Sequence, residues 1–164
     1  MTSSDYEPIR IIDDITPPEQ RLGPPWRVLV VDDNQGILDL SDIVLAGVVF
    51  ARRPVTLFFA TSALEAERVL AEWGHQGFAL ALIDMVMEDQ TAGLRLIEHI
   101  RGTLGNQRMR LMLRTGMSSG ALAAEVMRRL DIDGCHLKTD LRAQHLIDLV
   151  LASLGRWLER SVQD

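Results

Sequence analysis

Residues 28–34 read VLVVDDN, and this stretch decides the fold. Four consecutive apolar residues, Val28 to Val31, are mostly β-branched and end abruptly in Asp32-Asp33-Asn34. A continuous apolar run of this length, without alternation, is the pattern of a strand buried on both faces, as in a parallel sheet. The same pattern then returns along the chain. Val55 to Phe59 forms a second such run, and Phe78 to Ile83 a third that ends in the carboxylate Asp84. Met109 to Arg114, apolar apart from Arg110 and Arg114, reads as a fourth strand and ends at Thr115-Gly116. Cys135 to Leu137 is a short fifth that ends at Lys138.

Helical spacing fills the gaps. Ile37, Leu38, Leu40, Val44 and Leu45 repeat at helical intervals, and Ser62 with Glu65 makes a capping box before a helix that runs to about Trp73. Further helices are predicted over 94–100, over 120–130, and from about Asp140 almost to the C-terminus. Five βα units imply an α/β fold with helices on both faces of a parallel sheet. Right-handed crossovers leave a doubly wound, flavodoxin-like sheet of five strands in the order 2-1-3-4-5 as the best fit.

Composition sets outer limits. The chain has 164 residues, 47% hydrophobic and 24% charged, which suits a single packed domain. Its net charge of −6 argues against nonspecific nucleic-acid binding, which depends on basic contacts to phosphate. The N-terminus lacks the basic start and apolar run of a signal peptide, and the longest apolar stretch, Ile43 to Ala51, is too short to cross a bilayer. The single cysteine, Cys135, excludes an intramolecular disulfide. A soluble cytoplasmic protein is expected. Residues 1–25, with Pro17-Pro18 and Pro24-Pro25, read as an acidic extension: a tail, or a strip that docks through Ile9, Ile11, Ile12 and Ile15. The domain proper is placed at 26–153, with 154–164 extending the last helix.

In an open α/β sheet, ligands sit at the carboxyl ends of the strands, near the switch point of strand order. Asp32, Asp33, Asp84, Thr115 and Lys138 all fall there. Three carboxylates gathered in one crevice repel one another and call for positive charge. Mg2+ suits them, because it takes a few carboxylate oxygens and keeps several waters. Lys138, the only lysine in the chain, adds a compact point charge, whereas Arg114 near the same crevice is one of sixteen arginines.

Taken in order, VLVVDDN (28–34), LIDMVM (82–87), LRTG (113–116) and HLKT (136–139) resemble the receiver domain of bacterial two-component response regulators. The stretch from Met87 through Leu94, with LRTG and KTD, is most similar to receivers that precede cyclic-dinucleotide phosphodiesterase or other signalling outputs. The resemblance covers about residues 26–153. It implies that Asp84 accepts a phosphoryl group from a sensor histidine kinase or phosphotransfer protein. It implies Mg2+ on Asp33, on Asp32 largely through water, on Asp84 and on the backbone carbonyl of Val86. Thr115 and Lys138 would hold the phosphoryl group, and a downstream output domain or protein would read the change. The chemistry would be limited to self-phosphorylation and autodephosphorylation, without an enzymatic activity in the usual sense.

Some positions depart from the receiver pattern. Cys135 stands where an aromatic switch residue is common, and Thr139 follows the lysine where proline is usual. Glu88 occupies a position where proline is common, and Gly93 comes one residue late. Glu88 is therefore either a solvated loop residue or a neighbour of the metal region. Met85, Met87, Met109, Met112 and Met117 read as core filling, and no histidine is assigned to a metal. The last helix carries an apolar stripe from Leu146 to Leu158, and its distal part near Trp157 suggests self-association or docking. Two other functions compete: an Mg2+-dependent phosphohydrolase with an aspartate nucleophile, and a degenerate receiver that serves only as a scaffold. The first usually needs an acid two residues after the nucleophile, and that position is Val86.

Overall fold

Parallel strands that are apolar on both sides must be covered on both sides, and the structure resolves the sequence in that way. It is a computed structural model that describes residues 23–116, 125, 128–129, 131–137 and 142–163. The sheet is built from β1 (Trp26–Val31), β2 (Val49–Phe50), β3 (Arg53–Ala60), β4 (Phe78–Asp84), β5 (Arg110–Thr115) and β6 (Gly134–Leu137), in the order β2-β3-β1-β4-β5-β6. From β3 onward every pairing is parallel. These five strands reproduce the expected 2-1-3-4-5 order.

The sixth strand was not expected. β2 pairs antiparallel with the start of β3, Phe50 opposite Arg53, around the two-residue turn Ala51-Arg52. Both turn residues have positive φ, 51° and 59°. That is the primed hairpin geometry usually supplied by Asn or Gly, so no local signal announces it. Arg53 then lies over the Trp26 ring at 3.5 Å and donates from Nε to the Pro24 carbonyl at 2.6 Å, which ties this corner to the start of β1.

The helices are α1 (Gln35–Leu45), α2 (Ala63–Trp73), α3 (Ala92–Glu98) and α4 (Ala143–Gln163). Glu125, Arg128 and Arg129 are also helical, within the segment predicted over 120–130. The rest of that segment, residues 1–22 of the extension, and Lys138 through Leu141 lie outside the described residues. Side-chain alternation sorts the core into two halves. Leu29, Val31, Ala81, Ile83, Leu111 and Leu113 face α2 and α3. Val28, Val30, Leu80, Leu82 and Met112 face α1 and α4. Met85, Met87 and Met109 join Met112 as buried filling; Met117 lies outside the described residues.

Capping follows the sequence. The Asn34 side chain accepts from Gly36 N at 2.9 Å and starts α1 immediately after the Asp32-Asp33 pair. Ser62 Oγ accepts from Glu65 N at 3.1 Å, while Glu65 reaches back to Thr61 N at 2.9 Å. The Thr61 bonds hold the Glu65 carboxyl below its ordinary range.

The distal apolar stripe of α4 finds cover within the chain. Trp157 packs edge-on against Trp26, with ring centroids 5.3 Å apart, and Arg108 lies over its other side at 4.5 Å. Leu154 is fully buried, and Trp157 and Leu158 pack against the same core half. The stripe that suggested self-association is thus largely occupied by Trp26 and its neighbours. Among the described residues, no helix is long and apolar enough to cross a membrane.

Candidate functional site

The site begins with the strand ends. β1 and β4 are adjacent and in register, Val31 opposite Ile83, so the next residues, Asp32 and Asp84, emerge side by side at the carboxyl edge. Both are buried, 0% and 2% exposed, while Asp33 is exposed at the mouth. Carboxylate oxygens of Asp32, Asp33 and Asp84 all lie within 4.8 Å of one another. This is the switch point of the sheet, where β1 connects to one side and β4 to the other.

Backbone donors fix the two buried acids. Asn34 N donates to Asp32 Oδ1 at 2.9 Å, and Val86 N donates to Asp84 Oδ1 at 3.3 Å. Met85 N donates to the Arg114 carbonyl at 2.9 Å and extends the β4–β5 ladder past Asp84. Val86 stands 43% exposed at the rim. Thr115 closes β5 beside the pocket, buried, and pairs in register with Leu137, the residue before Lys138. Lys138 itself lies outside the described residues.

The donor set fits Mg2+. Three hard carboxylate oxygens converge, one acid stays open to water, and Mg2+ prefers to keep waters alongside one or two carboxylates. Among the described residues this is the only group of three such ligands within reach of one another. His136 and His145 approach each other, Nδ1 to Nε2 at 3.4 Å, but bring no carboxylate with them.

Arg114 sits in the same row as Asp84, one strand over. It is 5% exposed. Burial pushes its guanidinium below the ordinary value, and the Asp32 and Asp84 carboxylates push it back up. The sequence had placed it near the crevice; its burial against the acids was visible only in the register.

The loop above the pocket differs from either simple expectation for Glu88. Its Oε1 accepts from Ala63 N at 2.9 Å, in the first turn of α2. A carboxylate at a helix N-terminus satisfies an orphan donor and meets the positive end of the helix dipole. Arg95 binds the loop from the other side, 2.6 Å from Asp89 and 3.8 Å from Glu88. Glu88 therefore braces the loop against α2, and it is not part of the carboxylate group. Gly93 anchors the loop's far end, where its N–H donates to the Met85 carbonyl at 3.1 Å. Cys135 is half-buried on the α2–α3 side, and burial pushes its thiol up.

A structure from Methanospirillum hungatei, described as a response regulator receiver domain protein (CheY-like), matches 83% of this chain and 98% of its own, with TM-score 0.66 and 23% identity. The fold is that of a response-regulator receiver domain. A second receiver of this kind, the signal receiver domain of an HD domain-containing protein from Pseudomonas fluorescens, matches 85% of this chain and 94% of its own, with TM-score 0.69 and 21% identity. By sequence, the chain is 41% identical over 130 residues to 3′3′-cGAMP-specific phosphodiesterase 2 of Vibrio cholerae. The match covers 79% of this chain and 24% of that protein, so the chain spans about a quarter of the relative's length. No protein-family model matches the sequence.

Proposed function

We propose that this receiver-fold chain is a phosphoacceptor of a two-component pathway, with Asp84 as the accepting residue. The observation that carries the reading is the convergence of Asp32, Asp33 and Asp84 within 4.8 Å at the carboxyl edge of the sheet, next to Thr115. A carboxylate oxygen of Asp84 attacks the phosphorus of a phosphohistidine on a sensor kinase or phosphotransfer protein. The new P–O bond forms as the P–N bond breaks, and the imidazole departs as leaving group. The Val86 N–H contact on Oδ1 holds the Asp84 carboxylate while its other oxygen reacts. Thr115 donates its hydroxyl to the arriving phosphoryl group, and Lys138 pairs with it. Asp33, Asp84 and the Val86 carbonyl, with Asp32 largely through water, would hold Mg2+, which would supply positive charge against the transferring phosphoryl group.

Val86 carries no acid at the spacing where an aspartate-nucleophile phosphohydrolase would place one, which favours a single transfer to Asp84 over multiple turnover. The boundaries proposed are a receiver unit over 26–153 with α4 extending past it, in the cytoplasm where kinases of this class present their phosphohistidine. The relative named for 3′3′-cGAMP hydrolysis suggests the output: a cyclic-dinucleotide phosphodiesterase, in a longer chain or a partner, read through the receiver surface. Self-association through α4 has less to recommend it now that Trp157 packs on Trp26.

The test is incubation of the chain with acetyl phosphate and Mg2+, followed by intact mass. An acid-labile phosphate adduct on the wild type, absent from Asp84→Asn and lost on chelation, is expected. Absence of any adduct on the wild type, or an undiminished adduct on Asp84→Asn, overturns the reading.

A further inference from the structure

The last row of the sheet carries charge where the rows beneath it carry hydrocarbon. Register places Val30, Leu82, Met112 and Gly134 side by side across β1, β4, β5 and β6. The first three are buried beneath α1 and α4. Two residues further along a strand, side chains return to the same face. The next row is Asp32, Asp84, Arg114 and His136. His145, in the first turn of α4, meets His136 at its far end.

Arg114 is costly at this position. It is almost fully buried, and its Nη1 has no hydrogen-bond partner among the described residues. A guanidinium taken out of water without its full set of bonds loses solvation that only a nearby opposite charge can replace. Met112, two residues earlier on the same face, is an unbranched apolar side chain buried in the core without that cost. The opposing charge comes from the pocket: Asp84 is one strand spacing away, about 4.8 Å between backbones, and Asp32 stands just beyond it.

We infer that Arg114 is a built-in counterion of the pocket, which weakens the hold of Asp32 and Asp84 on Mg2+ and favours the added negative charge on Asp84 once it carries a phosphoryl group. The second half rests on the phosphoacceptor reading; the first does not. Before transfer, guanidinium and metal draw on the same two carboxylates, so each lowers the affinity for the other. After transfer, the acyl phosphate bears more negative charge than the carboxylate it replaces, and a fixed cation one strand away stabilises it. Arg114 acts through these groups and is a positioning residue, not a nucleophile.

The experiment uses the full chain with Arg114→Met, Arg114→Gln and Arg114→Lys. Mg2+ alone is titrated by calorimetry, and beryllofluoride is then titrated at saturating Mg2+. The neutral variants are expected to bind Mg2+ roughly five- to thirty-fold more tightly, the size of effect a unit charge close to a divalent ion has under water-like screening. They are expected to bind beryllofluoride more weakly by a similar factor, while Arg114→Lys stays within about three-fold of wild type for both. A purely structural role moves both affinities in the same direction. Unchanged or weaker Mg2+ binding in whichever neutral variant remains folded overturns the inference; if neither folds, Mg2+ and beryllofluoride affinities in Arg114→Lys that both move in the same direction by more than about three-fold from wild type overturn it, because the charge is kept and only the packing has changed. If the wild type takes no phosphate adduct, the phosphoacceptor reading fails while the Mg2+ arm still decides the counterion role.

Discussion

Gly93→Ala tests how tightly the strand that ends in Asp84 is clamped to the helix that follows it. A Cβ at this position would lie 2.2 Å from the Asp84 carbonyl oxygen, 2.8 Å from Met85 Cα and 3.0 Å from the Asp84 carbonyl carbon. All three atoms are backbone, at the end of a central strand, and none can rotate away. Relief requires the start of α3 to lift by on the order of 1 Å, which strains the Gly93 N–H bond to Met85 and loosens buried Ala92 and Leu96 from the sheet. Overpacking of this kind costs about 1–3 kcal/mol, and a weakened buried hydrogen bond adds about 0.5–1.5. Helix propensity returns up to about 1 kcal/mol, since Gly93 does not need positive φ. The net is a loss of roughly 1–3 kcal/mol, or about 3–10 °C in Tm for a chain of this size. Urea unfolding followed by circular dichroism measures it, with Gly102→Ala as control, because a Cβ at Gly102 meets nothing within 4 Å. On the phosphoacceptor reading, acetyl phosphate labelling of Asp84 should slow in Gly93→Ala alone, since relief of the clash displaces the carbonyl of Asp84 itself. A Gly93→Ala protein as stable as wild type, or stabilised like the control, refutes the claim that close backbone approach dictates this glycine.

Other perturbations follow from the same contacts. Asp133→Ala should cost about 3–5 kcal/mol in urea unfolding, because Arg110 is 1% exposed and would keep a buried charge without its carboxylate, while Leu111 N also loses its acceptor. Glu88→Ala should lower stability by about 1 kcal/mol through loss of the Ala63 N–H contact, yet leave Mg2+ affinity in calorimetry unchanged; a drop in Mg2+ binding would return Glu88 to the metal region. Burial raises the Cys135 thiol, so its contribution to stability is complete below the ordinary thiol pKa and is lost as pH rises through the folded value. Ellman's reagent at pH 8 should therefore label Cys135 more slowly than the urea-unfolded chain, and equal rates would contradict its packing against the α2–α3 core half.

Much of this was legible because the strands announce themselves. Val28 to Val31 and Phe78 to Ile83 are uninterrupted apolar runs that end in carboxylates, and parallel register then has to bring Asp32 and Asp84 together. What remained hidden depends on contacts between distant parts of the chain. The Ala51-Arg52 turn has no Gly or Asn, and its positive φ values accompany the stacking of Arg53 on Trp26. The stripe of α4 was readable as apolar, but no periodicity reveals that Trp157 meets Trp26, residues separated by most of the domain. Glu88 has the composition of a solvated loop residue, and only the fold brings it to the open end of α2. Lys138, central to the sequence argument, falls outside the described residues, so its role rests on the pattern of strand ends.

The departures from the receiver pattern change how a signal would leave the pocket. An aromatic ring at position 135 would face the α2–α3 half of the core, where Cys135 packs. A thiol fills little space and has no large rotamer to swing, so that face offers no bulky switch. The opposite face carries the unusual chemistry: Arg114 beside Asp84, then His136, then His145 on α4. Charge added at Asp84 would act on Arg114, the buried cation that the Asp32 and Asp84 carboxylates already reach. Any shift of Arg114 toward the phosphoryl group alters what His136 and His145 face, at the start of a helix that runs 21 residues to the opposite end of the domain. A route from a phosphoryl group on Asp84 to an output would therefore run more naturally along the α4 side of the sheet than along the side where an aromatic switch would stand.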